Sequence, residues 1–132
     1  MRKVYLASTY SRHLEMQEIR RFLSHFGIEV TSRWINGDHT LETDELLGSA
    51  IAHRFAEEDL QDLQDADTII SFTGTGNRGR GGRHVEFGYA LAIGKRLLIV
   101  GSLENVFHCL PVVEWFETIE QFKSWMENDS RS

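Results

Sequence analysis

The sequence predicts an α/β fold, a doubly wound parallel sheet formed by a single domain over residues 1–132. Three observations lead there. Short apolar runs alternate with segments of helical period along the whole chain. The stretch 67–101, DTIISFTGTGNRGRGGRHVEFGYALAIGKRLLIVG, reads as strand, glycine-rich loop, helix and strand, one βαβ unit. No internal repeat, linker or low-complexity tract divides the 132 residues, which supply one core but not two.

The elements follow in order. Residues 3–7 (KVYLA) form a first strand and STYS a polar turn. From Ser11 onward Leu14, Ile19, Phe22, Leu23 and Phe26 recur at helical spacing, with Gly27 as the stop, and IEV is a second strand. Residues 31–49 show no sustained period, although their latter part suits a short helix. Such a segment at the carboxyl end of a strand is a lid or substrate loop, or a plain surface excursion. From Ala50, Ile51, Phe55, Leu60 and Leu63 mark an amphipathic helix with Ser49 as N-cap. Asp59 falls on or beside its apolar face, while Glu57, Glu58 and Asp62 are expected to point outward.

Strands at 68–72 and 97–100 then enclose a helix opened by glycines and closed by Gly94-Lys95. A loop, SLENVFHCLP, carries the only proline, Pro111, and 112–116 is a short apolar piece. Thr118 and Gln121 match a capping box for a last helix with Ile119, Phe122 and Met126 inside, and the tail NDSRS is expected to fray.

Composition narrows the function. A net charge of -6 argues against a general duplex-binding surface or other nucleic acid polymer. No apolar run reaches about 18 residues and no export signal is evident, so neither membrane nor secretion is expected. The single cysteine, Cys109, cannot form an internal disulfide and reads as a small buried side chain. A cytoplasmic protein is the expectation. Within this acidic chain Arg78, Arg80 and Arg83 form a local cationic cluster suited to a small anion.

Ligands of doubly wound sheets bind outside the carboxyl ends of the strands. Those ends carry Ser8, Tyr10 and Arg12, the loop from Gly74 to Gly82, and residues 102–105, three segments expected to line one crevice. Gly74, Gly76 and Gly79 formally match a dinucleotide fingerprint, but they follow an internal strand and no acid stands where a ribose partner belongs. What survives is the physics: Gly74, Gly76 and Gly82 let backbone amides approach an anion, helped by the helix dipole. Glu86, between Val85 and Phe87, follows that cradle; it either complements the helix dipole or serves as an ionised, poorly solvated nucleophile. Burial would raise its pKa while the helix terminus and Arg83 would lower it. Tyr5 is core packing or a hydroxyl that orients a carboxylate. His84-x-Glu86 matches part of a zinc deaminase signature, but the paired cysteines are missing and the six histidines lack ligand spacing, so no metal is expected.

VYLAS, EEDLQDLQDADTIISF and HVEFGYALAIGKRLLIVG resemble the nucleoside 2-deoxyribosyltransferase family, which includes the 2′-deoxynucleoside 5′-monophosphate N-hydrolases. The resemblance covers most of the chain and is most specific at Glu86 to Ala90 together with Asp59-Leu60. It implies a flavodoxin-like, Rossmann-like sheet and cleavage of the N-glycosidic bond of a (deoxy)nucleoside or its 5′-monophosphate, without cofactor or metal. In that scheme Glu86 attacks the anomeric carbon to form a glycosyl ester, Asp59 handles the proton of the leaving base, and Tyr5 positions the nucleophile. Family members are homo-oligomers that share site residues between copies, and Asn105 is the matching candidate. The chain departs from the transferases in having no acid in the loop before the glutamate. That favours a phosphate-bearing substrate, with Arg78, Arg80 or Arg83 on the 5′-phosphate. The alternative is a non-catalytic module that uses the same arginine loop to sense a nucleotide.

Overall fold

Strand β1 (Lys3–Ala7) is an inner strand of the computed structural model, which describes residues 1–37, 50–74 and 81–129. With β2 (Glu29–Val30), β3 (Thr68–Phe72), β4 (Arg96–Val100) and β5 (Glu114–Phe116) it forms a five-stranded sheet, order β2-β1-β3-β4-β5. Every pairing is parallel, with Tyr5 opposite Ile69 and Ile69 opposite Leu97. The expected doubly wound α/β sheet is therefore present, in the flavodoxin-like order. The order in which strands are added reverses between β1 and β3, so the crevice at their carboxyl ends is where a ligand belongs. All five residues of β3 and Val4 to Ala7 of β1 are buried, as strands covered on both faces must be.

Among the described residues four α-helices cover the sheet: α1 (His13–Ser24), α2 (Ala50–Asp65), α3 (Gly82–Ala92) and α4 (Ile119–Asp129). Side chains alternate along each strand, so Leu6, Ile70 and Phe72 face one way and Tyr5, Ile69 and Ser71 the other. On the first face Phe72 meets Phe122 of α4, which in turn meets Phe22 of α1. The second face is covered by α2 and α3 and carries the polar groups described below. Met16, Ile19 and Leu23 are buried from α1, whose chain turns through Gly27 at φ 72, a conformation side-chain-bearing residues disfavour.

Several sequence expectations change. The segment after β2 does not begin as a surface excursion: Arg33–Asn36 form a 3-10 turn that buries Trp34 and Ile35, and the Trp34 indole donates to the Leu6 carbonyl at 2.8 Å. Two adjacent apolar side chains outweighed the absence of a period. The latter part of 31–49, and Ser49 as a cap, lie outside the described residues. Asp62 points inward, only 4% exposed, because Arg33 supplies it with donors. Ile51 is exposed instead of inward-facing. Cys109 is exposed too, at the end of a 3-10 turn, Val106–Cys109, that is too short to bury it. The Thr118 hydroxyl accepts from the Gln121 amide as a capping box requires, but the Gln121 side chain reaches past Thr118 to the Glu117 amide. α4 runs through Asp129, further than the tail NDSRS suggests. Among the described residues no helix is long and apolar enough to cross a membrane.

Candidate active site

β1 and α3 place the two central side chains. Tyr5 is fully buried and projects from the sheet face that α3 covers; its hydroxyl donates a hydrogen bond to Glu86 Oε2. Glu86 sits one turn into α3, half-buried, between the exposed Val85 and the buried Phe87. Asp59 approaches from α2, one turn after the buried Phe55, with its Oδ1 shielded from solvent.

Burial is the main reason that the Glu86 carboxyl is pushed up to about 8; the neighbouring Asp59 charge adds to the rise and the Tyr5 hydrogen bond opposes it. Neither of the two expected lowering influences acts. Glu86 is beyond the first helical turn, where the dipole fades, and Arg83 is turned away from it. The free site thus holds a mostly protonated Glu86 at neutral pH, where the sequence suggested an ionised one. The Tyr5 hydroxyl is pushed well above its ordinary value, first by burial and then by the Glu86 and Asp59 charges, so it stays a donor.

The other expected ligand residues divide. The carboxyl ends of β1, β3 and β4 do converge: Arg12 Nη1 approaches the Thr73 carbonyl at 3.4 Å, and the Thr73 hydroxyl donates to the Ser102 carbonyl at 2.6 Å. Gly74 lies so close to Ser102 that an added Cβ would stand 3.2 Å from its Oγ. Ser8 opens this crevice with a buried Oγ that has no hydrogen-bond partner among the described residues. Tyr10 stacks on His13, ring centroids 4.7 Å apart, and donates to the Gly37 carbonyl at 2.6 Å. The Arg12 charge is offset by two 2.8 Å bonds to Glu15, a partner the sequence signalled only by its three-residue spacing.

Gly82 opens α3 with free space where a side chain would be, behind Gly81 as an N-cap without side-chain bonds. Gly76, Arg78 and Arg80 lie outside the described residues. Arg83 is buried and donates to both oxygens of Glu104, at 2.8 and 3.0 Å, which satisfies much of its charge within the chain. The Asn105 side chain caps the turn after it, accepting from the amides of Phe107 and His108, and its Nδ2 lies 3.4 Å from His84 Nδ1. Glu104 falls in a segment expected at the crevice, but its pairing with Arg83 was not legible because the two are 21 positions apart.

No protein-family model matches the chain, and no curated protein matches it. Solved structures do. A 2-deoxyribosyltransferase from Bacillus psychrosaccharolyticus superposes with a TM-score of 0.72 at 20% identity, over 97% of this chain and 95% of that one. A CMP N-glycosidase from Clostridium botulinum gives 0.64 at 18% identity over 96% and 99%. The 2-deoxyribosyltransferase of Leishmania mexicana gives 0.63 at 18% over 96% and 98%. The chain shares their fold. The matches cover 95% or more of each chain, so the shared fold is that of the whole domain.

Proposed function

We propose that the protein belongs to the nucleoside 2-deoxyribosyltransferase family and cleaves the N-glycosidic bond of a 2′-deoxynucleoside or, by preference, its 5′-monophosphate. The observation that carries this reading is the half-buried carboxylate of Glu86, hydrogen-bonded by Tyr5 and flanked by a second acid, Asp59, below the β1/β3 crevice. Two carboxylates with opposite tasks are what displacement at a sugar carbon requires. Glu86 yields its proton to Asp59, and its carboxylate attacks the anomeric carbon as the C–N bond breaks. The base leaves with that electron pair and takes a proton from Asp59. A water, or a second base, then attacks the same carbon and expels Glu86, returning a proton to Asp59. Two inversions retain the configuration.

The monophosphate preference is supported by the acid-free arginine loop and by one of the structural neighbours being a glycosidase of a nucleotide, CMP. Since Arg83 is engaged by Glu104, the phosphate falls to Arg78 or Arg80 and to the amides that open α3.

The test is to incubate wild type and Glu86→Gln with a panel of nucleosides and 5′-monophosphates, following free base by chromatography and sugar adducts by intact mass. Base release by wild type alone, with an adduct lost in the variant, is expected. A folded Glu86→Gln protein that released base at the wild-type rate would refute the assignment. Binding without release across the panel would instead favour a nucleotide-sensing module.

A further inference from the structure

Asp62 is a buried carboxylate that the proposed chemistry does not use. It lies on α2 one turn beyond Asp59 and therefore on the same side of the helix. Its Oδ2 accepts the Arg33 backbone amide at 2.9 Å and its Oδ1 the Arg33 Nε at 2.9 Å. Its backbone carbonyl accepts the Thr31 hydroxyl at 2.7 Å, and the Thr31 amide donates in turn to the Val4 carbonyl at 2.8 Å. Val4 precedes Tyr5 in β1. A continuous path thus joins the strand that holds Tyr5, through residues 31–33, to the helix that holds Asp59.

Burying a carboxylate is costly, and apolar side chains such as Leu63 already seat α2 on the sheet. What an apolar contact lacks is directional register. Three bonds of fixed direction at Asp62 define both the height and the rotation of α2 over β1. The clamp also lies within electrostatic reach of the site: the Asp62 charge acts on Tyr5, and Asp59 acts on Arg33.

We infer that Asp62 is a positioning residue: gripped by Arg33, it locks the chain leaving β2 against α2 and so fixes Asp59 beside Glu86 and Tyr5. The inference rests on the proposed roles of Asp59 and Glu86, but its test does not need turnover. The Glu86 carboxyl is followed by 13C NMR in Glu-labelled full-length protein, its signal assigned by its loss in Glu86→Gln. Asp59→Asn removes the charge that helps to raise Glu86 and lowers its midpoint from about 8. Asp62→Ala and Arg33→Ala should lower it in the same direction, Arg33→Lys less so, and Glu114→Gln, which breaks the remote Arg96 pair, not at all. Base-release kcat should fall about tenfold or more in the clamp variants with KM little changed, since small misplacements of catalytic groups cost that much.

The inference is overturned if folded Asp62→Ala and Arg33→Ala keep the wild-type Glu86 midpoint, or if Asp59→Asn itself leaves it unmoved. Should Asp62→Ala not fold, Arg33→Ala decides, because the Arg33 side chain is 52% exposed and its loss leaves the core intact. Absence of base release from every substrate with wild type would remove the proposed activity, while the titrations would still decide what Asp62 does.

Discussion

The hydroxyl of Tyr5 on β1 and the carboxylate of Glu86 on α3 meet in one hydrogen bond across 81 positions of sequence. A phenol that burial keeps protonated faces an acid that burial also keeps protonated until about pH 8. The bond favours the ionised acid, so in the proposed mechanism Tyr5 is the group that brings Glu86 toward its reactive form.

Tyr5→Phe should therefore move the Glu86 midpoint upward, since the one lowering influence on it is removed. At pH 7 the ionised fraction falls and kcat/KM drops by about 10–100-fold, part of it from lost orientation. The pH dependence of kcat/KM distinguishes this from general damage. The variant's limb should shift to higher pH; an unshifted limb with a uniformly lower rate would contradict it.

In wild type, kcat/KM should fall as pH rises through about 8, where the Glu86–Asp59 pair loses the single proton that the leaving base needs. Replacing Asp59 by Asn removes a neighbouring negative charge, so Glu86 ionises at lower pH, and the falling limb at about 8 is lost even as the rate falls for want of an acid at the leaving base. A limb that stayed in place in Asp59→Asn would show that the two carboxylates do not interact.

Stability should carry the same signature. Glu86 has its pKa raised on folding, so between its unfolded value, about 4.3, and about 8 the native state binds more protons than the unfolded chain. By linkage, stability is lost as pH rises through that window. Glu86→Gln cannot ionise and escapes the loss. It should be more stable than wild type at pH 9 by ~1–3 kcal/mol, discounted for the carboxylate's partial solvent access. The difference should fade toward pH 5. Urea titrations at the two pH values give the comparison.

How much of this was legible in the sequence varies with the kind of signal. β1, β3 and β4 were readable because strands buried on both faces are unbroken apolar runs, and α1 and α2 because their apolar residues keep helical spacing. Tyr5, Asp59 and Glu86 were named from a short motif and a resemblance, and the fold brings them together. The charged groups were another matter. Asp62, Arg83 and Cys109 each took the opposite environment from the one expected or a partner that was not, because burial of such a side chain depends on a distant residue: Arg33 for Asp62, Glu104 for Arg83. Local spacing carries no information about those pairings.

One backbone position ties fold to site. Gly101, just after β4, has φ 127, and a Cβ added there would stand 2.5 Å from both the carbonyl oxygen and the hydroxyl of Thr73. Thr73 is the residue that links the β3 end to Arg12 and to Ser102, so the clash falls on the floor of the crevice. Gly27 also has positive φ, 72, but an added Cβ meets nothing within 4 Å. Gly27→Ala should cost only the backbone term, ~1–2 kcal/mol. Gly101→Ala should cost ~3 kcal/mol or more, because the strand ends must separate as well as the backbone strain. It should also weaken nucleotide binding, whereas Gly27→Ala leaves that unchanged. Chemical denaturation and a binding titration on the two variants test this, and equal costs at the two glycines would mean that the Thr73 contact is not what holds Gly101.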